Sequence, residues 1–270
     1  MTCTYHCAMD TTTAELLWIT LSILLLGMSK GGFPVGSIAL PVIVLVWPDE
    51  TAAAHGAVAF MLPLLCIMDI CAVAFYHRQI EWRRILPLFP AMLIGVALAS
   101  VLFVAPSNPL LSISDRGLKL LIGMIGISFT LYQLCRRRIL ARLEAHHPGR
   151  LLQWIYGFGC GVASTIAHAA SPIMQMYLLP QHLPKLRFAG SMAAFFFVLN
   201  LVKVLPFWML GRFTPEGLAL GIKLVPVIPV GVVLGYVLVR VVPQTFYRAF
   251  IQVALGITST VLVIKALTGH

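Results

Sequence analysis

Long apolar runs follow one another along this chain, at 16–28, 35–47, 52–75, 85–105, 117–135, 151–179, 188–210, 217–239 and 250–266. Several approach the roughly 20 residues that a helix needs to cross the hydrocarbon of a bilayer. Of 270 residues, 60% are hydrophobic and 10% charged; a soluble domain carries about a quarter charged residues. Inside lipid every backbone N–H and C=O needs an internal partner, so apolar runs of this length must be helical. The expected class is an all-α integral membrane protein, surrounded by lipid and crossing the bilayer several times.

The formal net charge is +10. The basic residues sit in short connections between the apolar runs, which is how Lys and Arg orient a membrane chain. No basic face or aromatic stacking platform accompanies them, so a nucleic-acid partner is excluded. The six cysteines show no zinc-type pairing. Cys66, Cys71, Cys135 and Cys160 lie in apolar runs, where a thiol packs as a small hydrophobe. Cys3 and Cys7 flank "CTYHC" in a polar tail that is read as incidental, so neither a metal nor any other cofactor is expected. That tail has no basic region and no cleavage pattern ahead of its apolar run, so it is not read as a removable signal.

Two apolar regions are interrupted. Residues 16–47 are too long for one span and break at Ser29-Lys30-Gly31-Gly32, while 151–179 holds Gly157, Gly159, Gly161, Ser164, Thr165, His168, Ser171 and Pro172. Pro41 and Pro172 lie 131 residues apart (172 − 41), each late in its irregular region. Around them "HGA" (55–57) pairs with "AGS" (189–191), "IGVALA" (94–99) with "VGVVLG" (230–235), and "LIGMIGI" (121–127) with "QVALGI" (252–257). The chain thus reads as a tail at 1–13, a transmembrane repeat at 14–135, a basic cytoplasmic linker at 136–150 and a second repeat at 151–267. Repeats that each begin with a broken helix are typical of transporters, with the substrate at the repeat interface. If 151–179 crosses the membrane once, Lys185, Arg187, Arg240 and Arg248 fall outside the cell. If it is a re-entrant hairpin, they fall inside with Arg78, Arg83, Arg84 and the linker. The second arrangement obeys the positive-inside rule better and inverts one repeat relative to the other.

The motifs "GMSKGGF…ALPVIVLV", "LPLLCIMDICAVAFYHRQIEWRRILPLFPAMLIG" and "STIAHAASPIMQMYLLPQHLPKLRFAGSMAAFFFVLNLVKVLPFWMLG" resemble, in this order, the sulfite exporter TauE/SafE family, also called the toluene sulfonate uptake permeases. The resemblance covers 16–267. It implies a transporter, not an enzyme, in the bacterial cytoplasmic (inner) membrane. The implied substrate is a small sulfur-containing anion: sulfite, thiosulfate, or an organosulfonate such as sulfoacetate or toluenesulfonate. The glycine-rich "GxGGG" of many members is reduced here to Gly31-Gly32 in the first half and replaced by Ile166-Ala167-His168-Ala169-Ala170 in the second.

An oxyanion at membrane depth needs donors and positive potential, which helix N-termini supply. If Gly31-Gly32 and Ala169-Ala170 mark hairpin tips, small residues there admit an anion to backbone N–H groups, and Ser29, Ser164, Thr165 and Ser171 add hydroxyls. Lys30, at the break rather than at the edge of a run, is read as a counter-charge for substrate or for Asp69, with snorkelling to an interface as the alternative. Asp69, in the middle of its run, is a counter-ion for Lys30 or Lys203 or else a proton site. The 131-residue offset maps it onto Asn200, and an alignment of Gly56 with Gly190 maps it onto Lys203. Ser164, His168, Ser171 and Gln175 share a face if their segment is one helix, and Asn200 with Lys203 forms a second polar face. The expected binding set is therefore Ser29, Lys30, Gly31, Gly32, Ser164, His168, Ser171, Gln175, Asn200 and Lys203. Phe195, Phe196, Phe197, Phe207 and Trp208 either wall the substrate's organic part or pack against core and lipid. Lys185 and Arg187 attract anions at a vestibule or simply set topology.

The expected mechanism is alternating access, compatible with proton coupling and with a homodimer. An anion channel is the nearest alternative. An intramembrane enzyme using Asp69 and His168 lacks a nucleophile–base motif, and a scaffold subunit has no need of Lys, Asp and His within its spans.

Overall fold

A computed structural model describes residues 13–33, 35, 53–101, 149–243, 245–246 and 253. The tail with Cys3 and Cys7, Pro41, the side chain of His55, the linker at 136–148, Cys135, Arg248 and the pair "LIGMIGI"/"QVALGI" lie outside the described residues. Those described form helices and connecting turns, with no strand among them. We label the helices α1 (Thr13–Lys30), α2 (Ala53–Tyr76), α3 (Trp82–Ile85), α4 (Phe89–Ala99), α5 (Arg150–Ala167), α6 (Ala170–Leu178), α7 (Lys185–Met209), α8 (Pro215–Leu224) and α9 (Val227–Val241).

Four helical stretches are long and apolar enough to cross a membrane: Thr13–Lys30, Val58–Tyr76, Trp82–Ala99 and Lys185–Met209. The pair α8 and α9, bent by 52°, makes a fifth if it counts as one span. Their outer faces carry exposed Leu17, Trp18, Leu201, Leu205, Trp208, Ile222 and Val241. In water such faces would be costly, and in lipid they are solvated.

The described helices pack in pairs that leap along the sequence. α1 lies along α9, and α5 lies along α4. Both contacts are made by residues too small to hold backbones apart. A Cβ on Gly27 would come within 3.1 Å of the Gly231 Cα, and one on Gly235 would strike the Met28 carbonyl. On the other side, Gly157 faces the Leu88 carbonyl, Gly161 the Met92 carbonyl and Gly95 the Phe158 carbonyl, each too closely for a Cβ. Small residues four apart are the usual way for helices to approach in lipid, where no hydrophobic force draws them together. Within each pair the contacts rise together along both helices, so the partners run parallel.

Between these pairs, α2 packs along α7. They are the longest described helices, at 24 and 25 residues, each about 36 Å at the usual rise per residue. The core around them contains Ile19, Ile23, Met61, Met68 and Tyr76 in one cluster and Met92, Met174, Phe195 and Leu199 in another.

α5 and α6 double back on each other. Cys160 Sγ lies 3.9 Å from the Ala170 carbonyl, Ile173 packs on Gly159, and the Tyr156 and Tyr177 rings sit 5.6 Å apart. Those spacings widen away from the turn, as they do in an antiparallel hairpin. The turn is His168-Ala169, with His168 left-handed at φ 50°, a conformation that His accepts more readily than most side chains do. The hairpin tip expected at Ala169-Ala170 thus falls one residue earlier, at His168-Ala169: α5 ends at Ala167, five residues before Pro172. Pro172 sits in the first turn of α6, where its missing N–H breaks no helical bond.

Candidate functional site

The tips of α1 and α5 approach the α2–α7 pair from opposite ends. Tyr76, at the end of α2, donates to the Gly31 carbonyl at 2.6 Å. At the start of α2 the Val58 carbonyl lies 2.9 Å from His168 Nε2. A group of polar side chains, buried although the surrounding helices are apolar, lies between these two anchor points.

Asp69 is fully buried and turns one oxygen to each half of the chain. Its Oδ1 lies 2.7 Å from Lys30 Nζ, and its Oδ2 accepts a hydrogen bond from Asn200 Nδ2 at 2.6 Å across 131 residues. The Lys30 contact is an ion pair without hydrogen-bond alignment, since no donor meets Oδ1 at a favourable angle. The Lys30 ammonium also stands 4.6 Å from the Phe196 ring centre, where the ring's negative face adds to its stabilisation. Lys30 therefore does not snorkel: its side chain is only 15% exposed and turns inward. Of the two partners expected for Asp69, Lys30 forms the ion pair and Lys203 does not.

Lys203 is completely buried and instead meets three neutral groups. Its Nζ lies 2.8 Å from Ser164 Oγ, 3.1 Å from the Ser164 carbonyl and 2.9 Å from His168 Nδ1. His168 Nε2 faces a carbonyl, so that nitrogen carries the ring hydrogen and Nδ1 is the acceptor. Among the described residues no carboxylate touches the Lys203 ammonium. Two lysines and one aspartate converge here from α1, α2 and α7, and the end of α5 supplies Ser164 and His168.

The remaining expected residues divide. Asn200, Lys203, Ser164 and His168 join the cluster with Lys30 and Asp69. Ser171 and Gln175 form a separate pair on α6, with Gln175 Nε2 donating to Ser171 Oγ at 3.2 Å and the buried Gln175 Oε1 left without a partner. The single helical face expected for Ser164, His168, Ser171 and Gln175 is thus broken, because the left-handed residue turns the chain between its two halves.

Gly31 and Gly32 also differ from expectation. Their amides are not bare: Gly31 N–H donates to the Gly27 carbonyl at 2.8 Å and Gly32 N–H to the Ser29 carbonyl at 3.0 Å, closing the end of α1. Gly31 lies against the α9 backbone, and Gly32 adopts φ +106° where α1 stops. Ser29 is half-buried beside them. Sequence reasoning missed Tyr76, whose hydroxyl fixes this turn. No spacing marked it, because its partner is a backbone atom 45 residues away.

The aromatic residues divide in the same way. Phe196 lies under Lys30, Phe195 stacks on Phe89 at 5.8 Å, Phe207 packs near Phe213, and Trp208 is exposed. At the end of α2, Arg187 pairs with Glu81 at 2.6 Å, and Arg84 donates to Gln181 Oε1 at 3.2 Å. Lys185 donates to the carbonyls of Arg240 at 3.0 Å and Val242 at 2.6 Å, capping α9. Both ends of the α5–α6 hairpin reach this basic end, where Tyr177 donates to the Arg84 carbonyl at 2.7 Å. Among the described residues no group of three His, Cys, Asp or Glu side chains is placed to hold a metal.

Apolar helices long enough to span a bilayer, with lipid-compatible outer faces and an ionised cluster within, define a multi-pass membrane protein. The family model described as sulfite exporter TauE/SafE matches residues 19–262, and the chain belongs to that family. No curated protein and no solved structure matches it. The membership indicates membrane export of sulfite or a related sulfur anion.

Proposed function

We propose that the chain is a secondary carrier of a small sulfur-containing anion in the bacterial cytoplasmic membrane. The candidates are sulfite, thiosulfate, and organosulfonates such as sulfoacetate and toluenesulfonate. The carrier works by alternating access, coupled to protons. The observation that carries this reading is the buried cluster of Lys30, Asp69, Asn200, Lys203, Ser164 and His168. Ionisable groups at membrane depth are costly to keep there unless they face one another or a transported guest. Here two lysines meet one carboxylate, so the site can gain a net positive charge once Lys203 is protonated, which favours an anion as guest.

Lys30, Asn200, Lys203, Ser164 and His168 are the proposed contacts for the anion, and Asp69 is the counter-ion that holds Lys30 when no substrate is bound. Ser29, Gly31 and Gly32 support the α1 tip, while Ser171 and Gln175 line the approach along α6. The reading of two inverted repeats, 14–135 and 151–267, is supported by three features: the parallel pairs α1–α9 and α5–α4, the opposed approach of α1 and α5 to α2, and the meeting of Asp69 with Asn200 at the repeat spacing.

The test is counterflow in proteoliposomes, with labelled sulfite, thiosulfate, sulfoacetate and toluenesulfonate each loaded against its unlabelled form. A carrier accumulates label transiently above its outside concentration, driven by exit of the unlabelled anion. A channel does not, and unchanged label recovered after transport argues against an enzyme. If none of the four anions gives counterflow, the reading fails.

A further inference from the structure

We propose that Lys203, and not Asp69, carries the proton that accompanies the anion. This rests on the carrier reading above and deepens it. It begins from the three contacts of the Lys203 nitrogen. The Ser164 carbonyl can only accept a hydrogen bond. In the neutral ring His168 Nδ1 accepts, because Nε2 holds the ring hydrogen against the Val58 carbonyl. Ser164 Oγ can either accept or donate.

An ammonium at this position donates to all three. An amine, with two hydrogens, donates to the carbonyl and to Nδ1 and accepts from the Ser164 hydroxyl. The same heavy-atom positions thus satisfy both charge states, and the only movement between them is the rotation of one hydroxyl hydrogen. Asp69 has no such freedom. One of its oxygens faces an ammonium and the other takes an amide hydrogen, so its surroundings are built for the ionised form.

The other charged and titratable groups that face Lys203 are few among the described residues. α1 brings Lys30, α2 brings Asp69 and Cys66, and the end of α5 brings His168. α4 carries no titratable side chain. Arg83, Arg84, Tyr236 and Arg240 belong to elements that meet α7 near Lys185, at its other end. Since Lys30 and Asp69 neutralise each other, the state of Lys203 decides the charge of the cluster while the His168 ring is neutral.

Empty, the site holds the amine, which avoids a buried ammonium with no carboxylate in contact. As the anion enters, the amine takes one proton from the open side and becomes an ammonium beside it. On the far side the anion and the proton leave, and the amine returns. A singly charged sulfonate then crosses with no net movement of charge.

The test uses the full-length protein in proteoliposomes that contain a pH-sensitive dye, with toluenesulfonate as probe. The wild type is expected to acidify the lumen by about one proton per toluenesulfonate taken up, and to give no current on a solid-supported membrane. Lys203→Arg and Asp69→Asn are both expected to slow exchange, so the readout is protons per anion. Arginine stays charged, so Lys203→Arg should lower that ratio roughly tenfold or more, while Asp69→Asn should keep it near one.

A wild-type current carried by toluenesulfonate without acidification would overturn the proposal. So would an Asp69→Asn protein that exchanges toluenesulfonate but moves no proton. If Lys203→Arg does not reach the membrane, the wild-type ratio and the Asp69→Asn ratio still decide. Absence of toluenesulfonate counterflow overturns the proposal as stated. The carrier reading survives that result if sulfite, thiosulfate or sulfoacetate gives counterflow, and falls if none does.

Discussion

At the scale of single residues, the decisive fact is the division of labour between two lysines. Lys30 faces a carboxylate and Lys203 faces neutral acceptors. Removing one partner of a buried ion pair leaves the other uncompensated, at a cost of about 3–5 kcal/mol. Lys30→Met is therefore expected to abolish transport and to lower thermal stability in detergent. Adding Asp69→Asn should restore most of the stability and none of the transport. If the double variant transports normally, Lys30 has no part in the site. The sequence allowed the right residues to be gathered but not paired. Asp69 mapped equally well onto Asn200 and Lys203, because residues three apart share a helix face. Only packing of α7 against α2 decides which of them meets the carboxylate. The second hairpin tip was more legible: the run of small residues put it at Ala169-Ala170, one residue past the observed turn at His168-Ala169.

The helices show a second kind of ambiguity. Gly31 read as part of an anion cradle, yet it serves a helix contact. Gly27 and Gly31, Gly157 and Gly161, and Gly231 and Gly235 are each four apart, and that spacing alone could have pointed to close helix packing. It went unread because glycine in an interrupted segment suggests a loop just as strongly. The contacts make a sharp prediction within one helix. Gly157→Ala and Gly161→Ala drive a methyl into the carbonyls of Leu88 and Met92, and overpacking of this kind costs about 1–3 kcal/mol. Gly159→Ala meets only Ile173 at 3.8 Å and should leave the melting temperature nearly unchanged. Equal losses at all three positions would show that helix propensity, not contact, governs α5. The long spans themselves were legible, because α2 and α7 coincide with unbroken apolar runs. α4 was less so: its run at 85–105 begins in a short helix and a tight turn at Leu86–Leu88.

Across the molecule, the basic end gathers Arg78, Arg83, Arg84, Lys185, Arg187 and Arg240, while Gly211 and Arg212 follow α7 at the far end. Sequence reasoning left open whether 151–179 crosses or re-enters, since length and hydropathy suit both. The doubling back of α5 and α6 favours re-entry. In a cysteine-free background, Arg78→Cys and His182→Cys are expected to react with an impermeant maleimide from the cytoplasmic side, and Gly211→Cys from the outside. Labelling of His182→Cys from the outside would mean that the hairpin crosses. The Glu81–Arg187 pair at this end is exposed and contributes about 0.2–1 kcal/mol. Glu81→Ala should therefore shift stability by less than the glycine variants do. The crossed pairing of α1 with α9 and of α5 with α4 carries one more consequence. Among the described residues the first helix of each half packs most extensively on a helix of the other half. A gene cut between residues 136 and 150 would therefore yield two fragments that each lack a wall. Made separately they should be degraded, and made together they should reassemble, each supplying the support the other is missing.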